Sequence, residues 1–80
     1  MYVAVTDVKA ESNYRLFLTF KNGEKKRFDM KPYLNLGVFN ELKDMVKFNT
    51  VRVVFDTVEW DNEIDFDPEV LYQKGEPVIN

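Results

Sequence analysis

The sequence predicts an α+β fold: a small antiparallel sheet of five or six strands, one amphipathic helix and a short C-terminal helical turn. Three observations predict it. Apolar residues alternate with polar ones in short runs at both ends of the chain, the period of a strand half-buried on a sheet. An Asn22-Gly23 pair separates two of these runs, and Asn-Gly tolerates the positive φ angles of a tight hairpin. Only the stretch 37–47 changes to helical spacing.

The first strand, 2–9, rests on β-formers, with Val3 and Val5 alternating against Ala4 and Thr6 before a turn at Glu11-Ser12-Asn13. In the second, 14–20, Tyr14, Leu16, Leu18 and Phe20 give one wholly apolar face. The third, 24–29, is mostly charged, which suits a strand near a sheet edge or one with a fully wet face. Pro32 stops it. Val38, Phe39, Leu42, Met45 and Val46 then form the apolar side of a helix over 37–47, with Asn35 as its cap.

Alternation returns in three short strands, 50–55, 57–60 and 63–66, with Val51, Val53 and Phe55 on one face of the first and Trp60 directed into the core. Asp67-Pro68-Glu69 is a helix start, with Asp at the cap, Pro at the first helical position and a carboxylate in the first turn. The turn 68–72 should return Leu71 or Tyr72 to the sheet. Residues 1–72 thus read as one domain, and Gly75 and Pro77 make 73–80 a loose tail.

Eighty residues place the chain near the size at which folding removes only about 60% of the accessible surface. Seven Phe, four Tyr and one Trp offset that, since each can bury about 150–250 Å². Without Cys the chain has no disulfides, thiolate nucleophiles or thiolate metal ligands. Without His, and with Ser12 its single serine, it cannot assemble a Ser-His or Cys-His pair. A net charge of −3 argues against binding nucleic acid by itself, because such affinity comes from Lys and Arg neutralising phosphates. No leader pattern opens the chain and no segment approaches the ~20 apolar residues of a membrane span, so the expected address is cytoplasmic, with no membrane partner.

Seven of the fourteen acidic residues lie between Asp56 and Glu69, uninterrupted by Lys or Arg. Asp61, Glu63 and Asp65 have the alternate spacing that opens a calcium loop, but Phe66 and Tyr72 stand where such a loop needs Gly and Glu. No metal or cofactor is expected. Glu59 and Glu63 could face each other across a hairpin as an acid–base pair, but a single small sheet and one helix offer little wall for a cleft. Lys25-Lys26-Arg27 alternates between faces, and the three Gly are scattered, so no phosphate cradle forms. Phe17 and Val54 interrupt polar faces; either they join into a dimer patch or a second layer covers them.

In Tyr14-x-Leu16-x-Leu18-x-Phe20-x-Asn22-Gly23, Phe28-Asp29, Phe39-x-x-Leu42-x-Asp44 leading to Phe48, and above all Trp60-x-x-x-Ile64-Asp65-x-x-Pro68-Glu69-x-Leu71-Tyr72, the chain resembles the bacterial domain of unknown function 2442. The family's usual ending has Pro or Gly between the Trp and the acidic residue; here Asp61-Asn62-Glu63 fills that turn. The resemblance implies an α+β fold, no catalytic residues to carry over and, for some members, an antitoxin role beside a toxin-like gene neighbour. The expected function is a non-catalytic protein-interaction module that binds a basic partner through Glu59, Asp61, Glu63, Asp65 and Tyr72. The alternative is self-association through Phe17 and Val54; a small-ligand binder or carboxylate enzyme ranks behind both.

Overall fold

The alternating run at 15–20 anchors the core, because Leu16, Leu18 and Phe20 are each no more than 1% exposed and share one face of a strand. A computed structural model describes residues 3–78. In it, β1 (Val5–Glu11), β2 (Arg15–Phe20) and β3 (Lys25–Asp29) pair antiparallel in sequence order. A three-stranded antiparallel sheet follows from β4 (Arg52–Val54), β5 (Thr57–Glu59) and β6 (Asp65–Phe66). Its inward row is Val53, Val58 and Phe66, directly opposite one another in the ladder. The expected single sheet is therefore two. Tyr2, expected in the first strand, lies outside the described residues.

The helical region differs from expectation. Residues Gly37–Lys43 form a 3-10 helix, and α1 is only Met45–Phe48. Asp44 divides them: its backbone is extended (φ −74°, ψ 114°) and its carboxylate accepts from the Val46 amide at 3.0 Å. Within the 3-10 segment the inward residues Phe39 and Leu42 are three apart, one turn of that form, and Met45 and Phe48 carry the apolar side on through α1. Val38 and Val46, expected on the apolar side, are 60% and 76% exposed. Leu36, not Asn35, precedes the 3-10 segment, with no side-chain cap.

The end of the chain is also more ordered than expected. α2 (Pro68–Lys74) starts where the Asp-Pro-Glu signal places it, the Asp67 carboxylate accepting from the Glu69 amide at 2.9 Å. It ends on Gly75, where a Cβ would lie 2.7 Å from the Leu71 carbonyl oxygen and 3.1 Å from the Lys26 Cβ. That close approach lets β7 (Glu76–Pro77) pair with β3, giving the order β1-β2-β3-β7. Residues 73–78 are thus helix and strand rather than a loose tail, and β3 is not an edge; residues 79–80 lie outside the described residues. One core joins both sheets. Trp60, fully buried, donates its indole N–H to the Phe48 carbonyl at 3.0 Å, and Phe28, Tyr33, Phe39 and Phe66 form a second aromatic cluster.

Candidate interaction surface

The acidic residues gather on the outward face of the three-stranded sheet. Arg52, Glu59 and Asp65 stand in one row across β4, β5 and β6. The Arg52 guanidinium bridges two carboxylates, Glu59 at 3.0 Å and Asp61 at 2.8 Å. Glu63 is exposed in the loop that follows. Four carboxylates against one guanidinium leave this group of five at −3, the net charge of the whole chain. The remaining charges of the chain cancel.

Glu59, Asp61, Glu63 and Asp65 therefore share one region, but Tyr72 does not join them. Its ring packs edge-on against Phe20 at 5.1 Å between centroids, and the Lys26 ammonium sits 3.7 Å above it while donating to the Tyr72 carbonyl at 2.6 Å. The Tyr72 hydroxyl meets Asn22 and Glu24 at the β2–β3 loop. Its hydrogen bond with Glu24 is the main reason that carboxyl titrates below its ordinary 4.5 and the phenol above its ordinary 10.0. A second such pair lies on the outer face of the four-stranded sheet, where Arg27 grips Glu11 at 2.7 and 3.2 Å and, chiefly by that hydrogen bond, lowers its pKa.

Phe17 and Val54 are both half-buried and belong to different sheets, β1 lying between their strands. The Arg27 guanidinium stands 5.5 Å from the centre of the Phe17 ring, so Phe17 carries a cation on its flank rather than a bare apolar patch.

Two cavities bear on ligand chemistry. The larger, about 550 Å³, runs along the end of β3 and β7, between Arg15, Asp29, Tyr33, Lys74 and Glu76, and includes none of the four clustered carboxylates. A cleft of about 240 Å³ adjoins Asp61 over Leu42 and Trp60, with Glu41 and Lys47 on its rim. Glu59 faces Asp65 across the ladder, not Glu63, so the expected acid–base pairing across the hairpin is not the one the register makes. Among the described residues no group of three or more carboxylates converges as a metal site would, and no helix is long and apolar enough to cross a membrane.

The sequence reading missed Phe55. Alternation with Val51 and Val53 placed it on an inward strand face, yet it is 92% exposed at the tip of the β4–β5 hairpin. Val54 and Thr57 are paired, so Phe55 and Asp56 are the whole loop, with φ of 49° and 69°. Two successive positive φ angles define a type I′ turn, which normally takes Asn-Gly. Phe-Asp carries no such signal; the break between the expected strands 50–55 and 57–60 falls at Asp56, but nothing marks Phe55 as part of the tip.

A family model described as protein of unknown function (DUF2442) matches residues 5–77. The chain belongs to this family. The match runs from the first residue of β1 to the last of β7, so it spans both sheets and the acidic face of this DUF2442 domain. No curated protein and no solved structure matches the chain significantly.

Proposed function

We propose that this DUF2442 domain is a non-catalytic protein-interaction module whose acidic face binds a basic protein, in the manner of an antitoxin that neutralises its partner. The observation that carries the reading is the charge of that face: Arg52, the cation in its ladder row, is already engaged by Glu59 and Asp61, while Glu63 and Asp65 remain exposed. Such a surface speeds encounter with a positive partner and repels a negative one. The antitoxin role implied for some family members agrees with this chemistry.

Co-purification of the tagged chain from its own host at low and moderate salt tests the reading. A net-positive protein should be retained, and less of it as salt rises. Glu63→Lys with Asp65→Lys should abolish retention. Recovery of no partner, or of one indifferent to both reversals, would contradict the proposal.

A further inference from the structure

The β4–β5 tip is built against the fold's own interest. A bulky residue at positive φ is an outlier, and such strain persists where the surrounding structure holds it and often where it is used. Tyr14, at φ 59°, shows what a structural return looks like: its ring packs on Phe48 at 5.4 Å and its hydroxyl donates to the Lys43 carbonyl. Phe55, at φ 49°, has none, since its ring is 92% exposed and stacks on no other aromatic among the described residues.

The tip is nevertheless held firmly. The Asp56 carbonyl accepts from the Val5 amide at 2.9 Å, and Val5 is buried at the start of β1. The ring is therefore displayed from a fixed point, which spares a binding partner the ordering of a loose loop.

We propose that Phe55 is an interaction anchor that inserts its ring into an apolar slot on a protein whose surrounding surface is basic. Charge selects that occupant. Phe55 projects from the same three-stranded sheet as Glu59 and Asp65, one strand of three residues away from the Asp61-Glu63 loop, so a second copy docking there would set this group of −3 against its own like. Aromatic side chains seated in desolvated pockets and ringed by polar contacts are the usual centres of such interfaces. The inference rests on the acidic-face reading and adds the contact that fixes orientation.

The test is site-specific photocrosslinking of the full chain in its own host, with p-benzoylphenylalanine at position 55 and, as control, at Lys21 on the other hairpin. A discrete adduct with a net-positive protein at 55 and not at 21 is expected. That protein, purified, should bind Phe55→Ala and Phe55→Asn at least tenfold more weakly than the parent, with both variants folded. An adduct with a second copy, an adduct with an acidic protein, or no adduct would overturn the proposal. Affinity lost on Glu63→Lys with Asp65→Lys but unchanged in Phe55→Ala would overturn the anchor and leave the acidic-face reading standing. The reverse pattern would retain the anchor and remove that reading.

Discussion

In the β2–β3 loop and the β5–β6 loop the chain follows the same path with different chemistry. The amide of Phe20 donates to Glu24 and that of Trp60 to Ile64, both at 2.9 Å; Gly23 donates back to Phe20 and Glu63 to Trp60, again at 2.9 Å. Asn22 and Asn62 each accept from the amide two residues on, at 3.0 and 3.3 Å. Both loops start from a buried aromatic residue and end through a residue at positive φ, Gly23 at 90° and Glu63 at 64°. Glycine takes that conformation freely, whereas a residue with a Cβ gives up about 1–2 kcal/mol there. The β2–β3 loop thus turns at ease, while the three-stranded sheet turns through Glu63 at one end and Phe55-Asp56 at the other; the β1–β2 turn also passes through positive φ, Asn13 at 64° and Tyr14 at 59°, but there the Tyr14 ring packs on Phe48. Both strained tips of the three-stranded sheet present their side chains to solvent, whereas Tyr14 returns its ring to the core cluster.

The comparison breaks first if the shared start of the two loops is not structural. Trp60→Ala should lose about 3–5 kcal/mol in urea denaturation, because it empties a fully buried site and removes the donor to Phe48. A loss below about 1 kcal/mol would mean the loop does not hang from the core. Next, Gly75→Ala tests whether the closing strand secures the four-stranded sheet. The new methyl meets the Leu71 carbonyl and Lys26, so a loss of about 1–3 kcal/mol is expected, with faster amide exchange at Val78, whose N–H donates to Lys25.

The loops themselves can be exchanged. Gly23→Glu should lower stability by about 1–2 kcal/mol, and Glu63→Gly should raise it by up to about 1 kcal/mol, the gain reduced by the greater freedom of glycine in the unfolded chain. Negligible effects of both would show that positive φ costs little in either loop.

Much of this was legible beforehand, and the gaps have physical causes. Strands β2 and β3, the buried Trp60 and the Asp67-Pro68 helix start were readable because each depends on local patterning or capping. The division into two sheets was not, because period two specifies which face is buried but not which strand lies alongside. The 3-10 segment hid behind an apolar spacing common to both helix types. The strand at 76–77 was obscured by Gly75 and Pro77, which read as breakers although the glycine is there for a close approach. At the site, four of the five expected contact residues share a surface; Tyr72 falls away because α2 carries it to the β2–β3 loop.

The smallest effects concern pH. Glu11 and Glu24 titrate below their ordinary 4.5, so the stability they add is present above that value and lost as pH falls through their lowered folded-state values. Tyr72 titrates above 10.0, so its contribution is present below that value and lost as pH rises through the raised one. Tyr72→Phe should flatten the alkaline limb of a melting-temperature profile and soften the acid limb, while leaving the acidic face of the other sheet unchanged.

On the anchor proposal, Phe55 occupies its turn for something other than the fold. The urea midpoint of Phe55→Asn measures it most directly, since Asn suits a positive φ and cannot replace an aromatic packing contact. A midpoint above that of the parent, with an unchanged slope, is expected. A midpoint below it would mean that the ring stabilises the native state, and the tip would be one more structural turn.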